Sequence, residues 1–366
     1  MKMMEPCLLT GPFDWSPDFL PRAEFDARLA RARGVMRDMN VGKLVVHGNV
    51  FDHGALAWLT GFTPKLGPAF ALVPLEGPMR IVFSGGPGMK PSAERLTFVE
   101  DIAAFRGVAA DIGPWIGDAR TGLCEGAAMA FAPWSALDAL AAGKGGLVAM
   151  DAAIDALGRS KTPVERKATG QAIEILEATS RVLVHVLKEL GRRGAILAAE
   201  AAAFSFGAQD ARLRMSIRPL GPPAPLASDD EKTREPRNVA IAIRFRGYWA
   251  AGHFVAGEIA PDLARNARGA LEGALARTRP GARARDVCAA GGGVTLGGHG
   301  VGLRPEEAPF LDATETLAEG DVFSLVATID AGENKTAAWS VLALVEQDGA
   351  RVLWAAPGLD IPVPRD

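Results

Sequence analysis

The sequence predicts a two-domain α+β protein: a small α/β domain, then a larger domain in which helices back an antiparallel sheet. The 366 residues suit about two to three ordinary domains, and 48% hydrophobic with 23% charged residues is typical of a chain with a sizeable core. In the first half, short apolar strands alternate with helical segments. In the second half, the order is helices, a strand hairpin, a helix, a glycine-rich turn and two final strands. We place the domains at residues 1–155 and 156–366.

The first domain begins with an amphipathic helix and continues with strands. Apolar residues at helical spacing predict a helix over 25–39: Phe25, Leu29, Ala32 and Met36. Apolar runs predict strands at 42–48, 69–74 and 79–83. The Ala- and Gly-rich residues 140–156 indicate the exit into a linker. His47 and His53 are isolated histidines of the kind that is more often structural, and we assign them no role.

The second domain begins with a helix whose start is marked by several signals at once. Thr162 is a good N-cap, Pro163 suits the first helical position, and Glu165 completes a capping box. An apolar stripe follows at three- and four-residue intervals and ends at Gly191. A second helix is predicted over 196–206.

The hairpin over residues 239–253 alternates apolar and other side chains. Its first strand places Val239, Ile241, Ile243 and Phe245 on one face and Ala240, Ala242, Arg244 and Arg246 on the other. On the return strand, Trp249, Ala251 and His253 share a face. A helix over 261–278 and strands over 322–329 and 337–345 complete the prediction.

A glycine-rich stretch with one histidine, residues 298–303, lies between that helix and the final strands. Glycines on both sides of His299 indicate backbone that bends tightly and admits close neighbours. An imidazole presented from such a turn can act as a ligand, a proton carrier or a hydrogen-bond anchor. The alternative is a glycine-rich turn that contains an incidental histidine.

Charge and cysteine content exclude several classes of protein. Lys and Arg number 40 against 43 Asp and Glu, a net charge of −3 without basic runs, so nothing favours nucleic acid as a partner. Three well-separated cysteines without CxxC spacing argue against a disulfide framework or structural zinc. Neither a signal peptide nor an apolar run long enough to cross a bilayer is evident. We therefore expect a soluble cytoplasmic protein without membrane attachment.

Several short motifs in order resemble the pita-bread family, which includes aminopeptidase P, prolidase, methionine aminopeptidase and creatinase. The motifs are Arg159-Ser160-Lys161 with Glu165, Gly247-Tyr248, Arg279-Pro280-Gly281, Gly298 to Leu303, Glu307-Ala308-Pro309 and Gly320 to Ser324. Together with Leu59-Thr60-Gly61-Phe62 they resemble the creatinase and aminopeptidase P branch, over residues 20–355. The resemblance implies a homodimer in which loops of one N-terminal domain reach the partner's pocket. Phe62 and Lys65 would then bind substrate in the opposite subunit.

The resemblance also implies where metal ligands would lie, and the sequence departs from it there. Family peptidases hold two metal ions with two Asp, one His and two Glu. The matching positions here are Ala240 or Ala242, Ala251, His299, Val326 and Ser340. Because bridging carboxylates are needed to hold such a pair of ions, we predict no metal, no other cofactor and no metallopeptidase activity.

Creatinase works without metal and, like this chain, lacks the Asp at the Ala251 position, but it differs from this chain at its substrate site. Its hairpin tyrosine corresponds to Trp249 and its guanidinium-binding Glu to His253. Its catalytic His falls near Ala227-Ser228, and its carboxylate-binding Arg corresponds to Glu306. Creatine is therefore a poor substrate candidate.

We predict a metal-independent hydrolase of creatinase type that cleaves a C–N bond in a small amino-acid, amide or ureido substrate. His299 is the proton shuttle, with Glu306 and Glu307 as catalytic partners. The predicted substrate-binding residues are His253, Trp249, Arg244, Phe62 and Lys65, with Trp249 as an apolar or cation-binding wall.

Other interpretations stay open at this point. Glu307 could support its loop, Glu306 could be solvated, and the solvated-face interpretation is favoured for Arg244. The whole chain could also be an inactive pita-bread protein used for binding or scaffolding. An enzyme should bury His299 and a Glu around a closed polar cavity, whereas a scaffold should have a filled or collapsed cleft.

Overall fold

The structure, a computed structural model, describes residues 14–224, 235–311 and 314–364. The chain divides into two compact units between Gly158 and Arg159, and each unit is described by itself. Within these residues no helix combines the length and apolar character that a membrane crossing requires.

The first unit is built on a six-stranded mixed sheet in the order β4-β3-β2-β1-β5-β6. Its strands are β1 Lys43–Gly48, β2 Ala69–Pro74, β3 Arg80–Phe83, β4 Asp101–Ala104, β5 Thr121–Cys124 and β6 Leu147–Ala149. Its helices are α1 Arg22–Asp38, α2 Gly54–Thr60, α3 Lys90–Glu94, α4 Gly113–Ile116, α5 Phe131–Ala142 and α6 Asp151–Arg159. The predicted first helix and first three strands are confirmed. Helix α1 begins three residues before the prediction because Pro21 precedes it in an extended conformation.

The predicted linker over residues 140–156 is wrong. Strand β6 pairs in parallel with β5, and helix α6 follows it with Ile154 buried. Small residues gave this segment the composition of a linker, but its few apolar side chains are enough to attach it to the sheet.

The second unit begins with helix α7, Pro163–Ser205, and its predicted start is confirmed in detail. The Thr162 hydroxyl accepts a hydrogen bond from the Glu165 amide, and the Glu165 carboxylate accepts one from the Thr162 amide. Gly191 has φ 71°, a non-helical conformation that breaks α7 at the predicted point. Helix resumes at Arg192 and not near Ile196, so the two predicted helices are joined by a kink.

Two antiparallel sheets complete the second unit, in the orders β10-β9-β7-β8 and β12-β11-β13-β14-β15. Their strands are β7 Asp210–Ser216, β8 Pro223–Ala224, β9 Arg237–Phe245, β10 Tyr248–Ala256, β11 Val294–Gly300, β12 Glu307–Phe310, β13 Val322–Gly332, β14 Lys335–Glu346 and β15 Gly349–Ala355. Helices α8 Pro261–Arg277 and α9 Ala284–Val287 lie between β10 and β11.

The apolar face of the hairpin packs into the core of the second unit. Val239, Ile241 and Ile243 are buried in one cluster with apolar side chains of α7 such as Ala172 and Leu176. The opposite face of the four-stranded sheet therefore points away from α7. We call it the inner face, and it carries the candidate site.

Candidate active site

The inner face brings together the hairpin residues that the alternation predicted. Trp249 lies opposite Arg244, Ala251 opposite Ala242, and His253 opposite Ala240. Directly opposed residues of antiparallel strands share a face. The predicted common face of Trp249, Ala251 and His253 is thus confirmed.

The five-stranded sheet meets this hairpin through Ser340. The Ser340 hydroxyl accepts a hydrogen bond from the His253 amide at 2.7 Å. Ser340 is also in register with Val326, and Val326 with Gly297 on β11. In the resembled peptidases these two positions would supply metal-binding carboxylates. Here Ser340 supplies a hydroxyl group and Val326 an isopropyl group.

His299 lies on strand β11, and the glycines on both sides of it allow its neighbours to approach closely. A Cβ on Gly298 would overlap the Ser324 carbonyl oxygen, and one on Gly300 would overlap that of Ala308. His299 itself is half-buried, opposite Ser324. Its Nδ1 lies 3.0 Å from the Gly300 carbonyl oxygen. Because a carbonyl only accepts, this hydrogen bond assigns the proton to Nδ1 and leaves a lone pair on Nε2.

His253 is kept neutral by its surroundings. Burial lowers the pKa of His253 to about 4, and the charge of His299 adds to the effect while the carboxylate of Glu306 opposes it. Its Nδ1 is buried and has no hydrogen-bond partner within the described ranges. The two histidines and Glu306 thus form one electrostatically connected group, in which Glu306 is exposed.

Arg244 is buried, so the solvated-face interpretation of this residue is wrong. Its guanidinium lies 4.0 Å from the carboxylate of Asp210 and 5.3 Å from the centroid of the Trp249 ring. Burial lowers the pKa of Arg244; Asp210 acts against this and Arg212 reinforces it. Alternation shows that Arg244 lies on the polar face of β9, but that face is the inner face of the unit and not a solvent face.

Trp249 is 2% exposed, and its ring already contacts cations of the protein itself. The guanidinium carbon of Arg212 lies 4.5 Å from the ring centroid, in addition to that of Arg244. Trp249 therefore orients two arginines. Trp249 was predicted to form an apolar or cation-binding wall of the substrate pocket, whereas in the structure the cations at its ring are two arginines of the protein itself.

Glu307 has close partners in the loop that it belongs to. Its carboxylate forms an ion pair with Lys161 and accepts a hydrogen bond from the Arg304 amide at 3.2 Å. These are the contacts expected from the alternative in which Glu307 supports the loop. Lys161 belongs to the Arg159-Ser160-Lys161 motif, and the sequence gives no signal for its pairing with Glu307.

Phe62 and Lys65 lie in the first unit, where they line a small apolar cavity together with Phe83. Phe62 is 2% exposed, and its ring centroid lies 6.1 Å from that of Phe83. Their contact with a partner subunit's site stays a prediction. Ala227 and Ser228, where the creatinase histidine would fall, lie outside the described residues.

The donor set does not fit the two metal ions that the resemblance implies. Such ions need carboxylate oxygens, and the inner-face positions carry the methyl groups of Ala240, Ala242 and Ala251. Among the residues that the structure describes, no three His, Cys, Asp or Glu side chains are grouped to hold a metal ion.

Comparison with known proteins relates the fold to solved structures. No family model and no curated protein matches the sequence. An X-Pro aminopeptidase from Thermotoga maritima MSB8 is 16% identical, with TM-score 0.77, over 90% of this chain and 98% of that one. A prolidase from Pyrococcus horikoshii OT3 is 14% identical, with TM-score 0.74, over 89% of this chain and 97% of that one.

A third similar structure is the N-terminal domain of the FACT complex subunit SPT16 from Cicer arietinum (chickpea). It is 15% identical, with TM-score 0.63, over 90% of this chain and 96% of that one. At such identities the likeness shows the fold. The chain has the pita-bread fold of prolidases and X-Pro aminopeptidases, with a smaller N-terminal domain, and the predicted fold class is confirmed.

Proposed function

We propose that the protein is a hydrolase that cleaves a C–N bond in a small polar amino-acid, amide or ureido substrate without a bound metal ion. The observation that supports this proposal most is the connected group of His253, His299 and Glu306 on the inner side of a peptidase-type fold. It offers the His299 imidazole, which has an available lone pair on Nε2, close to a second histidine on which the carboxylate of Glu306 acts, where the resembled peptidases would hold metal.

His299 would move the proton in this reaction. Nε2 takes a proton from a water molecule as the water oxygen bonds to the substrate carbonyl carbon. The same imidazole then gives that proton to the nitrogen as the C–N bond breaks, so the products are a carboxylic or carbamic acid and an amine. General acid–base catalysis of this kind contributes about 10²–10⁴-fold.

The neighbours of His299 suit this role electrostatically. The carboxylate of Glu306 acts on His253 in the direction that favours a charged imidazole, and it would likewise favour a transient imidazolium at His299 and a positive group on the substrate. His253 is neutral at pH 7 because of its low pKa, so it adds no repulsion when His299 is charged. Glu307, through Lys161, holds the loop that follows His299.

A second candidate is a binding or scaffold protein with the same fold. It is favoured by the alanines at Ala240, Ala242 and Ala251 and by the similarity to a FACT complex subunit. In that case the inner face would bind without turnover.

A screen of small amides, ureido compounds and dipeptides separates the two candidates. Binding is detected by thermal shift, since a ligand of the folded form raises its stability, and turnover by release of the amine. We expect turnover by the wild-type protein, its loss in His299→Ala, and its retention in His185→Ala, a control at an exposed position of α7. Equal turnover by wild type and His299→Ala would remove His299 from the mechanism. Binding without any turnover would favour the scaffold.

A further inference from the structure

Arginines line the part of the inner face that lies on the far side of the hairpin from His299. Arg212 and Arg214 are two residues apart on β7, so their side chains point to the same side of the sheet. In register, Arg212 lies opposite Ala242 and Arg214 opposite Ala240. Arg244 joins them from β9, opposite Asp210.

Among the residues that the structure describes, Arg212 and Arg214 have one carboxylate beside them. Asp210 lies 3.4 Å from Arg212 and 4.0 Å from Arg244, so two guanidiniums share one carboxylate. Arg214 is exposed, and in the described ranges no carboxylate comes within ion-pair distance of it. Within the described ranges, Arg212 and Arg214 together therefore carry one positive charge more than the carboxylate beside them.

Two of the arginines, Arg212 and Arg244, are stacked on the ring of Trp249. The Trp249 ring contacts both Arg212 and Arg244, with ring centroid distances of 4.5 and 5.3 Å. A guanidinium that is stacked on an aromatic ring loses little further freedom when it binds a ligand. Its planar N–H groups match a carboxylate or a phosphate in a bidentate arrangement.

The side chains between these arginines and the histidines are small. Ala240 on β9 is paired with Arg214 on β7 on one side and with His253 on β10 on the other. Strands are spaced by about 4.8 Å, so the backbone positions of Arg214 and His253 are roughly 10 Å apart. That distance suits a small molecule that lies over the methyl groups of Ala240, Ala242 and Ala251.

We propose that Arg212 and Arg214 bind an oxyanion, a carboxylate or a phosphate, of a small molecule whose other end reaches His253 and His299. Asp210 and Trp249 are positioning residues that hold Arg212. That the other end of this molecule reaches the two histidines rests on the proposed hydrolase function. Binding of the oxyanion by the arginines does not depend on that function. The substrate class narrows accordingly to small anionic amides or ureido compounds.

Calorimetric binding to the full chain tests this site with three probes. They are inorganic phosphate, N-acetylglycine, and N-acetylglycinamide as the uncharged counterpart of the second. We expect the wild type to bind one of the anions and to prefer it clearly over the neutral amide, with affinity that falls as salt rises. Preference for N-acetylglycine identifies a carboxylate ligand, and preference for phosphate identifies a phosphorylated one.

Substitutions then assign the binding to these arginines. Arg214→Gln, at an exposed position, should weaken anion binding about 10-fold or more, the loss of one charge-assisted interaction. Arg193→Gln, at an exposed position of α7, removes the same charge elsewhere and should leave binding unchanged. Arg212→Gln should act like Arg214→Gln, with circular dichroism to verify the fold.

The outcomes distinguish this proposal from the proposed function. His299→Ala should keep anion binding even where turnover is lost. Equal affinity for the acid and its amide, equal binding by Arg214→Gln and wild type, or no binding of either anion at millimolar concentration would overturn the oxyanion site. Anion binding without turnover would keep the site and count against the hydrolase alone.

Discussion

The hydroxyl of Ser340 forms hydrogen bonds with both backbone groups of His253, the amide and the carbonyl. It accepts a hydrogen bond from the His253 amide at 2.7 Å, and it lies 3.4 Å from the His253 carbonyl oxygen, to which it donates. This is a contact between β14 and β10, strands of different sheets. At the position where a resembled peptidase would place a metal-binding carboxylate, this chain joins its two sheets.

Ser340→Ala should destabilise the second unit. The substitution removes the partner of a backbone amide in a part of the chain where Ser340 itself is fully buried. An unsatisfied buried donor costs about 1–3 kcal/mol, so the free energy of unfolding in urea should fall by that amount. Ser205→Ala, which removes an exposed hydroxyl near the end of α7, is the matched control. A loss no larger than that of the control would mean that water replaces the hydroxyl without cost.

Purified protein should contain no stoichiometric Mn, Zn or Co. Two imidazoles without a bridging carboxylate do not hold a pair of divalent ions. Elemental analysis after growth with added metal measures this directly, and chelator treatment should leave the melting temperature unchanged. Two metal ions per chain would contradict the argument from the donor set.

The stability of the protein should depend on pH through His253. The pKa of His253 is about 4 when folded, against an ordinary value near 6.5. As the pH falls below 6.5, His253 becomes protonated in the unfolded chain but stays neutral in the folded protein. Protonation therefore stabilises the unfolded state relative to the folded state. The stabilising contribution is full above pH 6.5, declines between pH 6.5 and 4, and is lost below pH 4. Its size is at most roughly 3 kcal/mol.

Comparison with His253→Gln isolates this contribution. The difference in free energy of unfolding between wild type and variant should shift by up to a few kcal/mol between pH 7 and pH 4, to the disadvantage of the wild type at the lower pH. His185→Gln, at an exposed position, is the control for a general effect of losing a histidine. A difference that is constant over this range would show that His253 is solvated in the folded protein.

Local signals in the sequence were sufficient to predict most of the helices and strands. The capping box at Thr162 and Glu165, the break at Gly191 and the alternation of β9 are each decided by neighbouring residues, and each is present as predicted. The close approach of neighbouring backbone to Gly298 and Gly300 also agrees with the glycine-rich sequence around His299. Such features depend on backbone conformation and periodicity, which a short stretch of sequence contains.

Contacts between distant segments could not be predicted in the same way. Lys161 and Glu307 are 146 residues apart, and Arg159 pairs with the fully buried Asp321 over 162 residues. Alternation assigned Arg244 to a polar face, but periodicity does not tell whether that face meets solvent or another part of the protein.

The protein should be a homodimer, as the resemblance to creatinase implies. Light scattering should give twice the 38.4 kDa mass of the chain. The exposed apolar side chain of Phe51, in the first unit, is a candidate contact, because an 85% exposed phenylalanine gains free energy when covered. Phe51→Ser should then weaken the dimer, while Phe131→Ser, at another exposed phenylalanine, is the control. A monomer at micromolar concentration would contradict the dimer.

The ion pair between Lys161 and Glu307 decides whether Glu307 is structural or catalytic. Lys161 is 4% exposed and Glu307 14%, so removal of one partner leaves the other charge poorly solvated. Lys161→Met should cost about 3–5 kcal/mol of stability, and the double variant Lys161→Met with Glu307→Gln should recover part of it, since both charges are then absent. If Glu307 supports the loop, Glu307→Gln lowers stability to a similar extent and affects turnover through the position of His299. A Glu307→Gln variant of unchanged stability that loses turnover completely would instead assign Glu307 to proton transfer.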